Sequence, residues 1–103
     1  MKVIVTDHHV PGETLPNADC VVDPELSPET SAPWRHLSGA GVIYTVLRGL
    51  FTDPSGSLPG VMEPDLTAIG TVADMVKLTG DNRILVKRGL GVMGSSPSRG
   101  IAA

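Results

Sequence analysis

The sequence predicts an α/β fold, a parallel sheet flanked by helices, and three observations carry that expectation. Two short apolar runs, Val3-Ile4-Val5-Thr6 and Cys20-Val21-Val22, read as strands, and three later segments carry apolar residues at helical spacing. Twelve Gly and nine Pro in 103 residues exceed the roughly 12% of average usage and favour a loop-rich α/β chain over a helical bundle. A single domain is all this length supports.

A continuous β-branched run is the pattern of a strand buried on both faces, so residues 3–6 are expected inside a parallel sheet. Asp7, His8 and His9 follow at its C-terminal end, where ligands gather in open α/β sheets. Val10-Pro11-Gly12-Glu13 and Leu15-Pro16-Asn17 are turn chemistry. Cys20-Val21-Val22 is the second strand, ended by Pro24. Residues 24–33, rich in Pro, Ser, Glu and Thr, lack periodicity and predict an exposed connection.

Ser38 suits an N-cap, and Ile43, Val46, Leu47 and Leu50 then recur at i, i+3, i+4 and i+7. The small residues Gly39, Ala40 and Gly41 serve either close packing or exposure of N–H groups to an anion. Residues 53–60 form a Pro/Gly break. A second helix follows from Pro64, a first-turn residue, with Leu66, Ile69, Ala73 and Val76 as its apolar positions. Asp74 falls in its last turn, against the negative end of the helix dipole, and needs a positive partner, either Lys77 or a metal ion. Thr79-Gly80 stops that element. Asp81 caps a third helix with an apolar stripe at Leu85, Val86, Leu90 and Met93, in which Gly89 and Gly91 each cost about 1 kcal/mol relative to Ala. Residues 94–100 are expected as a linker, with a further helix starting near Ala103.

One Trp, one Tyr and one Phe imply an aliphatic core. Cys20, the single cysteine, excludes an internal disulfide and reads as a buried thiol. No run approaches the ~20 apolar residues needed to span a bilayer, so no membrane partner and a cytoplasmic location are expected. The net charge of −3 hides a basic end in which Lys77, Arg83, Lys87, Arg88 and Arg99 face one acid, Asp81. Such a cluster is either a solvated helix face or a phosphate-contacting one. His36 reads as a solvated loop histidine.

Imidazoles and carboxylates together suit Mn²⁺, Zn²⁺ or Fe²⁺, and the lack of clustered Cys argues against a structural zinc site. Neighbours on an extended chain point in opposite directions, so His8 and His9 are expected in different roles. The alternative is a solvated turn holding one acid and two surface histidines.

Four motifs in order are Val5-Thr6-Asp7-His8-His9 with Pro11-Gly12-Glu13-Thr14-Leu15-Pro16, Leu37-Ser38-Gly39-Ala40-Gly41-Val42, Gly70-Thr71-Val72-Ala73-Asp74-Met75-Val76, and Leu78-Thr79-Gly80-Asp81-Asn82-Arg83. Together they resemble the DHH phosphoesterase superfamily and, within it, the RecJ family of single-stranded-DNA exonucleases. The resemblance implies a three-layer parallel-sheet DHH domain of which residues 1–103 are the second half, 1–93 matching its core and 94–103 a linker with the start of a truncated helix. It implies that His8 and Asp74 ligate metal, that His9 meets the scissile phosphate, and that Asp7 orients an imidazole. The implied reaction is 5′-to-3′ hydrolysis of single-stranded DNA with Mn²⁺ or Mg²⁺, two ions in the complete protein. The family's Asp-x-Asp signature on an earlier strand is not in this sequence. The expectation is therefore an internal piece, inactive alone, that needs the N-terminal and C-terminal parts of the same protein. A DHH phosphodiesterase of short oligonucleotides or cyclic dinucleotides, and a non-catalytic DHH scaffold, are the alternatives.

Overall fold

A computed structural model describes residues 1–51, 64–95 and 98–103. Strands β1 (Ile4–Thr6) and β2 (Cys20–Val22) pair in parallel, Ile4 opposite Cys20 and Thr6 opposite Val22. The ladder extends past both strands, with the Asp7 N–H donating to the Val22 carbonyl and the Asp19 N–H to that of Val3. After a short 3-10 helix at Pro24–Leu26 come α1 (Gly39–Phe51), α2 (Pro64–Ala73), α3 (Gly80–Ser95) and the one-turn α4 (Arg99–Ala102). Helix α1 packs on β1 and on α2, and α2 packs along α3. The α/β class with a parallel sheet is as the sequence predicts.

The core is centred on Leu37, Val42, Tyr44 and Leu85, with Val22, Trp34, Val46 and Leu47 packed around it. The buried hydrophobic residues are aliphatic as expected, with Tyr44 the exception and Trp34 half-buried at the edge. The lone Tyr and Trp are both drawn in, because a large ring buries more apolar area than any aliphatic side chain.

The strand expected to be buried on both faces is not. Ile4 is 66% exposed and Val5 only half-buried, because β1 has β2 as its one ladder neighbour among the described residues and α1 as its cover. Cys20, expected as a buried thiol, is exposed beside Ile4 for the same reason.

Helix α3 buries Leu85 and Val86 of its expected stripe, and α1 packs Val46 and Leu47 against the core as the spacing predicts, but both α1 and α2 also bury positions it does not. In α1, Gly41, Val42 and Tyr44 are buried while Ile43 and Leu50 are exposed. In α2 the inversion is complete, since Asp65, Thr67, Ala68 and Thr71 are buried while Leu66 and Ile69 face outward. The side chains of Asp65 and Thr71 are hydrogen-bonded, which removes the desolvation penalty that would otherwise expel them. The Asp65 carboxylate accepts from the backbone N–H of Leu66 at 2.7 Å and of Ser98 at 2.6 Å. Burial pushes its pKa up, but those N–H groups outweigh burial and hold it below the usual value.

The connection at residues 24–33 is more ordered than its composition predicts. Asp23 caps the 3-10 helix, accepting from the Glu25 N–H, and the Arg35 guanidinium donates to the Ser27 carbonyl and the Glu25 carboxylate at 2.7 and 2.8 Å. Gly94 and Ser95 prolong α3 instead of opening a linker, whereas the break expected over residues 53–60 lies outside the described residues. Helix α3 starts at Gly80, whose φ of +51° beside the Pro33 carbonyl suits glycine. Gly89 has a packing reason, because a Cβ there would collide with Ala68 and the Pro64 carbonyl across the α2–α3 contact.

Candidate metal centre

Strand β1 hands the chain to Asp7, and Asp7 then turns it. Its Oδ1 accepts from the backbone N–H of His8 at 2.8 Å and of His9 at 3.3 Å, an Asx-type turn that leaves the extended path. The two imidazoles, expected on opposite sides, therefore lie next to each other with centroids 4.2 Å apart. Their surroundings still differ. The His8 side chain is 17% exposed and directs Nε2 to the Asp74 carboxylate, Oδ2, at 3.4 Å. That of His9 is 74% exposed, with Nδ1 2.7 Å from Asp7 Oδ1.

This pairing sets the charges. The bond to His9, with the N–H groups of His8 and His9, pulls the Asp7 pKa down to about 2. The same bond raises the pKa of His9. Asp7 thus stays an anion and favours a cationic His9, whose Nε2 is the ring nitrogen not occupied by Asp7.

Asp74 follows the last residue of α2, and its N–H still donates to the Gly70 carbonyl at 3.0 Å. Met75 then adopts φ +56°, a left-handed turn that ends the helix. Its expected partner Lys77 is not the one Asp74 meets among the described residues; His8 is. Space for the His8 ring is left at Gly39, the first residue of α1, where a Cβ would lie 3.3 Å from His8 Cδ2. A Cβ on Gly70 would in turn strike Ala40. The small residues of both motifs therefore act through close packing.

A buried polar network holds these segments in place. Ser38 Oγ accepts from the Gly41 N–H at 3.0 Å and meets Thr71 Oγ1 at 2.8 Å. Since the Thr71 hydroxyl donates to the Thr67 carbonyl, Ser38 is the donor between the two. Asn82 accepts from the Ser38 N–H and donates to the carbonyls of His36 and Lys77. The start of α1, the middle of α2, the start of α3 and the turn after Asp74 are thereby tied together. Thr71 and Asn82 stand within the motifs, but no spacing signal reveals that their side chains meet at Ser38.

Asp7, His8 and His9 each offer a ligand atom within 4.8 Å of one another, and His8 brings Asp74 to this group. Two donors bound to one ion at ~2.1 Å, at angles between 90° and tetrahedral, stand about 3.0–3.4 Å apart. The His8–Asp74 separation lies at the upper end of that range. Imidazole nitrogen with carboxylate oxygen, and no thiolate, is a donor set that fits Mn²⁺, Zn²⁺ or Fe²⁺. His36 is loop-borne and 69% exposed, 3.4 Å from Glu25, and the basic residues Lys77, Arg83, Lys87, Arg88 and Arg99 are all exposed.

The model of the DHH family, N-terminal domain, matches residues 1–73. The chain is 41% identical to the single-stranded-DNA-specific exonuclease RecJ of Dickeya dadantii and 42% identical to that of Escherichia coli, each match covering 87% of this chain and 17% of the relative. It is 44% identical to the RecJ of Thermus thermophilus, covering 87% of this chain and 13% of the relative. A crystal structure of exonuclease RecJ bound to manganese superposes with a TM-score of 0.74 at 44% identity, over 92% of this chain and 23% of that one.

Proposed function

The chain belongs to the DHH family, and from that membership we propose that it forms part of the catalytic DHH domain of a metal-dependent 5′-to-3′ single-stranded-DNA exonuclease. The observation that carries this reading is the 3.4 Å approach of His8 to Asp74, two donors from separate elements held beside Asp7 and His9. The RecJ relatives and the manganese-bound RecJ structure support the substrate and the metal.

In this reading His8 and Asp74 hold a divalent ion, Mn²⁺ or Mg²⁺. When bound, such an ion supplies an activated water and neutralises charge at phosphorus. Asp7 orients His9 through Nδ1 and favours its protonated form, which leaves Nε2 to meet the scissile phosphate. A binuclear site needs about five or six ligands, so these side chains make up part of the set and the chain does not turn over alone. The substrate is single-stranded DNA. Among the described residues no helix is long and apolar enough to cross a membrane, and we place the activity in the cytoplasm.

The test is a graft. This chain replaces the aligned segment of the Thermus thermophilus relative, and Mn²⁺-dependent release of nucleotides from single strands is measured. Activity that is retained in the graft and lost with His8→Ala or Asp74→Ala is the expected result. A folded, inert graft, or full activity in His8→Ala, overturns the reading.

A further inference from the structure

Beside the metal centre lies a cleft of about 270 Å³ lined by His8, Glu25, His36, Leu37, Val76 and Lys77. Its volume is just below the ~300–1,000 Å³ of small-molecule pockets, so it suits a phosphate with part of its sugar better than a stacked nucleoside. His8 is the wall it shares with the centre described above.

The charges in this cleft are arranged for an anion. Glu25, its acid, is already engaged, with Oε2 2.8 Å from the Arg35 guanidinium and Oε1 3.4 Å from His36 Nδ1. Asp74, the acid nearest Lys77 in sequence, has His8 as its partner. Lys77 is exposed and forms no ion pair among the described residues, while its own backbone carbonyl is fixed by Asn82 at 3.1 Å. The result is an anchored backbone carrying an uncommitted ammonium at the rim of a small cleft. Leu37 and Val76 give that cleft an apolar lining against which a sugar can rest.

We propose that Lys77 is a phosphate anchor, holding in this cleft a nucleic-acid phosphate adjacent to the one at the His8–Asp74 centre. The proposal rests on the nuclease reading and extends it to the substrate. Lysine binds phosphate as a flexible point charge, which tolerates either a 5′-terminal phosphate or an internal phosphodiester. Both sources share the same chemistry, and the experiment separates them.

The metal-free full chain is titrated with inorganic phosphate, with a 5′-phosphorylated thymidine dinucleotide and with its 5′-hydroxyl counterpart, and backbone amide shifts are followed by NMR. Shifts centred on residues 36–37 and 76–77 are expected. Lys77→Met should weaken binding roughly three- to tenfold, and Lys77→Arg should restore it. Tighter binding of the phosphorylated dinucleotide assigns the site to a terminal phosphate, and equal binding assigns it to the phosphodiester. Unchanged affinity in Lys77→Met, or shifts confined elsewhere, overturns the proposal. Mn²⁺ binding is measured separately on the same samples. Its absence in the native chain counts against the nuclease reading, whereas a failed phosphate titration with Mn²⁺ binding intact removes only the Lys77 subsite.

Discussion

His8 Nε2 and Asp74 Oδ2 lie 3.4 Å apart although one residue follows β1 and the other follows α2. A carboxylate at a helix C-terminus is disfavoured by the dipole, and a divalent cation shared with the facing imidazole would offset that cost.

Divalent metal should therefore stabilise the folded chain. At free Mn²⁺ of about 100 times Kd the gain is roughly 2.7 kcal/mol, of order 10 °C in melting temperature for a domain this size. His8→Ala and Asp74→Ala should each weaken Mn²⁺ binding about tenfold or more. Mn²⁺ electron paramagnetic resonance and thermal melts read both quantities, and affinity unchanged from the native chain in either variant would refute the shared ion.

The Asp7–His9 pair predicts a pH window. With its pKa raised by Asp7, protonated His9 favours the folded chain, a contribution complete below about pH 6.5 that fades as pH rises through the folded value. Asp7, held at about 2, contributes above about pH 4 and loses its effect as pH falls toward 2. In the metal-free chain, Asp7→Asn should bring the His9 titration midpoint down toward the ordinary histidine value. Ring-proton NMR tests this, and a midpoint that does not move contradicts the pairing.

Asn82, 2% exposed, satisfies one N–H and two carbonyls. Asn82→Ala leaves them without a partner and should cost roughly 2–3 kcal/mol in urea denaturation. Because it ties His36 and Lys77 to Ser38, the same variant should also weaken Mn²⁺ binding. A stability loss below about 0.5 kcal/mol would mean that water replaces the side chain.

Two glycines of α3 should respond with opposite signs. Gly89→Ala forces a methyl into Ala68 and the Pro64 carbonyl and should destabilise by about 1–3 kcal/mol. Gly91 has nothing within 4 Å of where a Cβ would stand, so Gly91→Ala should stabilise by about 0.5–1 kcal/mol. Denaturant midpoints of the two variants decide it, and equal shifts would disprove the close α2–α3 contact.

The sequence by itself determined the α/β class, both strands, the Ser38 cap and the ends of the helices to within a few residues. These follow from local chemistry, namely β-branching, side-chain capping and the punctuation of Gly and Pro. The family was also legible, because the four motifs that hold Asp7, His8, His9 and Asp74 follow one another in an order that is itself the signal. The apolar spacing also located Leu85 and Val86 on the buried face of α3, but only the tertiary structure decided which face of α2 is buried. Apolar spacing pointed α2 inward through Leu66 and Ile69, yet Thr71 and Asp65 took that place, because a polar group with all its hydrogen bonds made loses its reason to stay in water. It also decided that Asp74 meets His8 and not Lys77. That choice depends on where α2 ends relative to β1, a distance set by the Ser38–Thr71–Asn82 network and by the gaps at Gly39 and Gly70, neither of which any one stretch of chain encodes.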